Sequence, residues 1–175
     1  MQRFSIVKGD IVKANTDAIV NAANTSLLGG GGVDGAIHRA AGAELLEECE
    51  NLGGCKTGEA KMTRGYKLKA NYVIHTPGPI WRGGKWKEDE LLQSCYENSL
   101  RLARENGVKS IAFPSISTGV YCFPVERAAK IAVKAICDFL KSDDFFQRVV
   151  LVCFDKETEA AYSNALKEYQ KKYVE

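Results

Sequence analysis

The sequence lacks a long hydrophobic run and a strong excess of either charge. No apolar stretch approaches the length of a membrane span, and the N-terminal segment is too polar for a signal peptide. The 24 basic and 22 acidic residues give a net charge of +2, whereas a dedicated nucleic-acid binder carries a basic excess or stripe. We therefore expect a cytoplasmic protein without a membrane partner, and a nucleic-acid partner is not favoured.

Metal-binding patterns are also missing. The 6 cysteines include no CxxC pair, and the only histidines are His38 and His75. We expect no metal site and, in a reducing compartment, no disulfide. Cys95, Cys137 and Cys153 fall at apolar positions of predicted helices or strands, where a free cysteine behaves as a small core residue. Both histidines are interpreted as structural.

The length of 175 residues fits a single domain over positions 1–175, which is large enough to bury a core without staples. Short apolar runs alternate with longer amphipathic stretches, which is typical of an α/β fold with helices on both faces of a sheet. The last predicted strand is apolar throughout, as expected for a strand buried on both faces. The predicted strands are Phe4 to Val7, Ala18 to Val20, Ala60 to Thr63, Tyr72 to Thr76, Ile111 to Phe113 and Val149 to Phe154.

Helical periodicity is clearest in the second half of the chain. Pro124 is predicted at the first helical position of one helix, whose apolar face runs from Val125 to Leu140. Another helix stops at Asn106-Gly107. A shorter helix is predicted at Gly35 to Ala40, after a run of glycines. A C-terminal helix is lined by Tyr162, Leu166, Tyr169 and Tyr173.

Small and polar residues follow four of the predicted strands. In open α/β sheets, ligands bind in the crevice beyond the carboxyl ends of the strands. Convergence of these segments at one edge therefore predicts a binding site more strongly than any single motif. The segments are Gly9-Asp10-Ile11, Asn21-Ala22-Ala23-Asn24, Pro114 to Tyr121, and Asp155.

The most unusual segment is the run of consecutive glycines from Gly29 to Gly32, followed by Val33-Asp34-Gly35. Such a run is costly in chain entropy and is useful where backbone N–H groups approach a ligand closely. Together with a helix N-terminus it favours a phosphate, although a flexible surface loop is the alternative. A second small-residue loop, Ser117 to Val120, lies between a strand and a helix. Two such loops flanking one crevice are suited to a diphosphate.

The glycines also satisfy GxGxxG through Gly30, Gly32 and Gly35, but this match is weak. In a dinucleotide-binding Rossmann unit the motif directly follows the strand. Here the glycines lie well beyond the predicted strand end at Val20. A Rossmann unit also has an acidic residue about 20 residues after the glycines, but this chain has Gly53-Gly54 there, which is interpreted as a helix end. A Walker-type loop is absent as well.

Taken together, these segments resemble the macrodomain family, particularly its MacroD-type branch. The likeness runs from Val7-Lys8-Gly9-Asp10-Ile11 to Val152-Cys153-Phe154-Asp155, and it includes Asp17 to Asn24, Val33 to His38 and Ile116 to Tyr121 in the family's order. Within the family the chain is most similar to bacterial O-acetyl-ADP-ribose deacetylases. The resemblance implies a three-layer αβα sandwich around a mixed, mostly parallel sheet of about six strands. It also implies that ADP-ribose binds in the crevice.

The resemblance further implies roles for individual residues. Asp34 would position or activate the attacking water, and Asn24 would hydrogen-bond the hydroxyls of the distal ribose. Asp10 would accept a hydrogen bond from the adenine amino group, with Ile11 beside the ring and Phe154 packed near it. Tyr121 would cover the distal ribose, and Asn21 is interpreted as a structural hydrogen-bonder of the ligand site. The diphosphate would receive backbone N–H groups from Gly31, Gly32 and Val33 and from Ser117, Thr118, Gly119, Val120 and Tyr121.

The function implied is a hydrolase that cleaves an ester on the distal ribose without a cofactor or metal. Its partners would be ADP-ribose and O-acetyl-ADP-ribose, and mono-ADP-ribosylated proteins if it also removes ADP-ribose from Asp or Glu. A non-catalytic reader of ADP-ribose is the alternative. Residue by residue, Asp34 is also suited to capping a helix and Asn24 to a turn. Trp81 and Trp86 are assigned to a loop without a catalytic role.

Overall fold

A six-stranded sheet forms the centre of the structure, a computed structural model that describes residues 3–173. All six predicted strands are confirmed, and their bounds are β1 Phe4–Lys8, β2 Ala18–Ala23, β3 Lys61–Arg64, β4 Tyr72–Pro77, β5 Ser110–Phe113 and β6 Arg148–Cys153. The strand order is β1-β6-β5-β2-β4-β3. Only β3 runs antiparallel to its neighbour, so the remaining strands end at the same edge of the sheet.

Helices cover both faces of the sheet and complete a three-layer α/β sandwich. The helices are α1 Gly32–Ala41, α2 Ala43–Leu52, α3 Glu88–Glu105, α4 Val125–Ser142 and α5 Lys156–Tyr173, with a 3-10 turn at Ile11–Lys13. The larger apolar cluster lies between the sheet and helices α3, α4 and α5, and it contains Cys95, Cys137 and Cys153 as predicted. A smaller cluster lies under α1 and α2.

Strand β2 extends further than predicted. The expected end was Val20, but residues 21–23 continue the ladder because they pair with His75 to Pro77 of β4. Asn21 is therefore a buried strand residue rather than the first residue of a loop. Its side chain lies beneath the edge of the sheet where the site forms.

The helix after the glycines begins earlier than predicted, at Gly32 rather than Gly35. Gly31 is extended, with φ −94° and ψ −173°, and its carbonyl already accepts the N–H of Gly35 at 3.2 Å. Gly35 is thus inside the first turn. A Cβ there would lie 2.5 Å from the carbonyl oxygen of Gly30, so this glycine permits the loop to fold back onto the helix.

Two other helix boundaries differ from the sequence prediction. Pro124 is the residue before the helix, since α4 starts at Val125. Helix α2 was not predicted, although its end at Gly53 was recognised and Gly53 does adopt a left-handed conformation with φ 69°. Helix α2 buries only Leu45 and Cys49 completely, which leaves a weak periodic signal.

Candidate functional site

A cavity of about 370 Å³ opens at the edge where the parallel strands end. Loops that follow β2, β4 and β5 form its walls, together with the first turn of α1. Its volume is in the range of small-molecule sites. The lining residues are Ala22, Ala23, Asn24, Gly30, Gly31, Gly32, Val33, Asp34, Gly78, Ser115, Ile116, Ser117, Gly119, Val120 and Tyr121.

The structure brings most of the site residues predicted from the sequence to this cavity. Those that line it are Asn24, Gly31, Gly32, Val33, Asp34, Ser117, Gly119, Val120 and Tyr121. Asn21 lies behind Asp34, and the hydroxyl of Thr118 turns into its own loop to bond Ser115. Asp10, Ile11 and Phe154 lie outside the cavity, beyond the ends of β1 and β6.

The first wall is the glycine segment and the N-terminus of α1. Gly31 caps this helix without any side-chain hydrogen bond, so the N–H groups of its first turn have no intrahelical partner. A Cβ added at Gly31 or Gly32 would meet no atom within 4 Å. The side of these glycines that a side chain would occupy is therefore open, and both glycines line the cavity. The positive end of the helix dipole points to the same place, which suits an anion.

The second wall is the loop between β5 and α4. It is held by its own backbone hydrogen bonds, from Phe123 N–H to the Ser117 carbonyl and from Cys122 N–H to the Gly119 carbonyl, both 2.9 Å. Ser117 adopts φ 67°, a strained conformation for a residue other than glycine. Within residues 3–173, the N–H groups of positions 117–121 donate to no protein acceptor. This wall therefore also presents free donors.

Gly78 allows the second wall to approach the end of β4. A Cβ at Gly78 would lie 2.3 Å from Ser117 Oγ and 2.5 Å from Ile116 Cγ2. The sequence reasoning missed Gly78 as a lining residue, whereas Ser115 and Ile116 lie in a segment predicted to reach the site but were given no individual role. The signal was available, because Pro77-Gly78-Pro79 follows a predicted strand as the four recognised segments do.

Asp34 is the acidic side chain of the cavity, and only 5% of the residue is exposed. Its Oδ1 accepts a hydrogen bond from Nδ2 of Asn21 at 2.8 Å and lies 3.4 Å from Nε2 of His38. In the described part of the chain, Oδ2 accepts no hydrogen bond, and a Cβ on Gly30 would lie 3.1 Å from it. Asp34 does not cap α1, because Gly31 occupies that position. One carboxylate oxygen is thus anchored and the other is available.

The environment of Asp34 changes its acidity. Burial raises the pKa of the carboxyl above its ordinary value, and the Asn21 hydrogen bond and the nearby His38 offset part of that rise. A carboxylate whose pKa moves toward neutrality is a better general base near pH 7. A perturbed acid in a cleft is also typical of functional sites.

A series of buried, hydrogen-bonded polar side chains holds Oδ1 of Asp34 in place. Asn21 Nδ2 lies 3.1 Å from Nδ1 of His75, whose Nε2 lies 2.9 Å from Thr63 Oγ1. Burial lowers the pKa of His75 to about 3, so the ring is neutral. Because a carboxylate only accepts, Asn21 must direct its NH₂ toward Asp34, and the proton of His75 then lies on Nε2. His75 is the satisfied structural histidine that was expected.

Asn24 lines the cavity, and its amide also builds the turn before the glycines. Nδ2 donates to the Gly29 carbonyl at 2.8 Å, while Oδ1 accepts from the backbone N–H groups of Ser26 and Leu27, both at 3.1 Å. The turn interpretation is therefore correct. It does not remove Asn24 from the site, since an amide nitrogen carries a second N–H donor.

A cluster at the β1 and β6 end of the same edge extends the site. Asp10 caps the 3-10 turn, its Oδ1 accepting Val12 N–H at 3.1 Å. Gly9 N–H bonds the Cys153 carbonyl at 2.9 Å, which places Asp10 close to the residue that follows, Phe154. The side chain of Phe154 is 85% exposed. The other carboxylate oxygen of Asp10 accepts no hydrogen bond from residues 3–173, so an aromatic face and an available carboxylate oxygen lie beyond the end of the cavity.

Volume alone does not identify the site. A groove of about 460 Å³ lies between α3 and α4, but its lining residues belong to those helices, whose backbone groups are bonded internally. Among the residues that the structure describes, no three His, Cys, Asp or Glu side chains are grouped to hold a metal ion. None of the helices in residues 3–173 combines the length and apolar character that crossing a membrane requires.

Known proteins resemble this chain over almost its whole length. The Macro domain family model matches residues 20–132. A Macro domain-containing protein of Methanosarcina mazei is 60% identical over 166 residues, covering 95% of this chain and 89% of that protein. An O-acetyl-ADP-ribose deacetylase of Escherichia fergusonii is 53% identical over 168 residues, covering 94% of this chain and 95% of that protein. A mutant of the Oceanobacillus iheyensis macrodomain, solved with ADPR, has a TM-score of 0.91 and 46% identity and covers 95% of this chain and 93% of that one.

Proposed function

The chain belongs to the Macro domain family, and on that premise we propose that it binds ADP-ribose and hydrolyses an ester on the distal ribose. The proposed substrates are O-acetyl-ADP-ribose and ADP-ribose esters of Asp or Glu side chains. One observation carries the proposal: two loops with free backbone N–H groups flank a single cavity whose wall includes a buried carboxylate, Asp34. The deacetylase name of a relative with 53% identity supports the reaction class.

The diphosphate is proposed to bind between the two walls. Gly31 to Val33 and Ser117 to Tyr121 supply N–H donors, and the positive end of α1 adds a favourable dipole. Adenine extends toward β1 and β6, where the Asp10 carboxylate accepts a hydrogen bond from the adenine amino group and Phe154 stacks on the ring. The distal ribose then lies at the other end, beside Asn24 and Tyr121.

The chemical step is ester hydrolysis with Asp34 as the base. The carboxylate takes a proton from water while the water oxygen bonds to the acyl carbon. The bond between that carbon and the ribose oxygen breaks, and the ribose oxygen takes the proton from the protonated Asp34, which restores the carboxylate. The products are a ribose hydroxyl and a carboxylic acid, either acetic acid or a protein side chain. Asn24 orients the hydroxyls without titrating.

Bound diphosphate strengthens the base. Its negative charge near Asp34 favours the protonated form, so the pKa of this carboxyl rises further when ligand is present. The diphosphate also shares in positioning the water. The cavity thus holds both the anion that tunes the base and the base itself.

Binding and turnover must be measured on the same proteins. Calorimetry gives the affinity for ADP-ribose, and deacetylation of O-acetyl-ADP-ribose is followed with chelator present, because the proposed reaction uses no metal. Asp34→Asn is expected to bind ADP-ribose within about threefold of wild type and to lose at least about 100-fold in kcat. Asn24→Ala is expected to lose both affinity and turnover, since its amide also holds the turn to Gly29.

The results separate the enzyme from a reader module. A wild-type protein that binds ADP-ribose and turns over no ester would be a reader, and the hydrolase proposal would fail. A wild-type protein that binds no ADP-ribose would exclude both.

A further inference from the structure

A second cavity, of about 380 Å³, adjoins the first at the proposed distal-ribose end. We call it the side cavity. Asn24, Gly78 and Tyr121 line both cavities, so the two share a wall. The other lining residues of the side cavity are Thr25, Thr57, Pro77, Pro79, Ile80, Arg82, Trp86, Glu88 and Leu91.

The outer wall of the side cavity combines exposed apolar surface with positive charge. Trp86 is 67% exposed and Ile80 is 47% exposed. The segment 80–87 reads Ile-Trp-Arg-Gly-Gly-Lys-Trp-Lys, with exposed Arg82, Lys85 and Lys87 and no acidic residue. An exposed tryptophan among cations is unusual for plain solvated surface and typical of binding surfaces.

This loop is held rigidly, which suits recognition. The buried carboxylate of Glu88 accepts the backbone N–H groups of Arg82, Gly84 and Trp86. Burial by itself raises the pKa of Glu88, but these hydrogen bonds outweigh it and hold the pKa at about 2. Glu88 is therefore ionised, and its charge is engaged by the loop's own N–H groups. Arg82 is the other charged residue of the lining.

The side cavity is much larger than the acetyl group of O-acetyl-ADP-ribose. An acetyl group has three heavy atoms, whereas the cavity has room for roughly a dozen waters at about 30 Å³ each. O-acetyl-ADP-ribose would leave most of it empty. A polypeptide that carries the ester has to leave the cleft at the distal ribose, which is where the side cavity begins.

We propose that the side cavity receives the polypeptide segment flanking an ester-linked Asp or Glu, and that it favours an acidic segment with an apolar side chain. The inference rests on the proposed function and names its substrate class. Trp86 and Ile80 pack against the apolar side chain, and Arg82 attracts the acidic neighbours of the modified residue. The protein then removes ADP-ribose preferentially from acidic stretches of its targets.

Binding of three ligands tests the proposal. The first is free ADP-ribose. The second is ADP-ribose joined by a non-hydrolysable linkage to a peptide with Asp and Glu flanks, and the third has Asn and Gln in their place. Wild type is expected to bind the acidic conjugate about tenfold more tightly than free ADP-ribose, since a central aromatic contact carries an effect of this size. The neutral conjugate should fall between them.

Two variants and a control locate the effect. Trp86→Ala and Arg82→Glu are expected to lose about fivefold or more of the affinity for the acidic conjugate and to keep that for free ADP-ribose within about twofold. Both side chains are exposed, so melting temperatures should stay unchanged. Arg148→Glu makes the same charge change at the start of β6, the opposite end of the sheet, and should alter neither affinity.

The inference is wrong if wild type binds the acidic conjugate no better than free ADP-ribose, or if both variants weaken the two ligands equally. Tighter binding of a short single-stranded RNA than of the acidic conjugate, lost in the same variants, would replace the peptide with nucleic acid and overturn it as well. Failure of the proposed function has a different signature, because the wild-type protein would then bind no ADP-ribose or fail to deacetylate O-acetyl-ADP-ribose.

Discussion

Asn21 donates its amide N–H to the carboxylate of Asp34 at 2.8 Å, from a position buried in the central strand β2. This bond stabilises the ionised carboxylate, so it lowers the pKa of Asp34 against the rise caused by burial. Removing it with Asn21→Ala should raise that pKa further. Since the proposed base must be ionised, the acid limb of the pH profile of kcat should move to higher pH, with the largest loss of activity on the acid side.

Thr63→Val is the matched control for Asn21→Ala. It disturbs the same buried chain at its far end, where Thr63 Oγ1 lies 2.9 Å from His75 Nε2. Asn21→Ala leaves buried acceptors of Asp34 and His75 unpaired, whereas Thr63→Val leaves the Nε2–H of His75 unpaired. A buried polar group without its partner costs about 1–3 kcal/mol, so both variants should be destabilised. Only Asn21→Ala should shift the acid limb. An equal shift in both, measured by deacetylation across the pH range, would contradict the assigned role of Asn21.

The ionised side chain of Asp34 should lower the free energy of unfolding at neutral pH. Burial raises its pKa in the folded state above that in the unfolded chain, so the folded state binds the proton more tightly. Ionisation at pH 7 therefore works against folding, and the cost disappears below the unfolded pKa of about 3.9. Asp34→Asn removes the charge and should raise the free energy of unfolding at pH 7 by about 1 kcal/mol.

Urea unfolding at several pH values measures this effect. The advantage of Asp34→Asn over wild type should shrink as the pH is lowered toward about 4. Asp144→Asn removes the charge of an exposed carboxylate and should change little at any pH. A variant with Asn at position 34 that is less stable than wild type at pH 7 would mean that the Asn21 bond outweighs the cost of burial.

The sequence alone predicted the strands and most of the cavity because both depend on local patterns. The periodicity of apolar residues and short apolar runs indicate strands such as β6, and consecutive glycines indicate the loop that leads to Asp34. The rule that ligands bind beyond strand ends then placed the two loops together. Gly78 was missed because its meaning lies in a contact with Ser117, distant in the sequence.

Tertiary contacts decided the features that were predicted less well. Strand β2 was predicted too short, since its last residues are strand only through pairing with β4. The start of α1 was misplaced because the extended conformation of Gly31 cannot be read from a row of glycines. The buried chain from Asp34 through Asn21 to His75 joins residues of α1, β2 and β4, and no local spacing indicates it.

Gly119 should be required by the ligand and not by the fold. A Cβ there would meet no atom within 4 Å, so Gly119→Val should keep the melting temperature of wild type. The side chain would instead occupy space where the diphosphate approaches the loop N–H groups. Loss of a hydrogen bond to a charged group costs about 1.5–3 kcal/mol, so ADP-ribose affinity should fall at least about tenfold.

Gly78→Ala provides the contrast on the same wall. Its Cβ would clash with Ser117 and Ile116, so the protein should lose about 1–3 kcal/mol of stability. Calorimetry and thermal melting on both variants distinguish the two kinds of glycine. Loss of stability in Gly119→Val, with ligand affinity preserved, would show that the free N–H groups of this loop do not serve the diphosphate.

Phe154 should contribute to ADP-ribose affinity through its exposed face. The side chain is 85% exposed, so Phe154→Ala should leave the free energy of unfolding unchanged. Stacking between a base and an aromatic ring is worth about 1–3 kcal/mol, so the affinity for ADP-ribose should fall about tenfold, while that for ribose 5-phosphate should not change. Trp86→Ala is the control, since it removes another exposed aromatic near the site and should leave ADP-ribose affinity intact. If Phe154→Ala binds ADP-ribose as wild type does, adenine does not lie over the end of β6, and its place would have to be sought on the other side of Asp10.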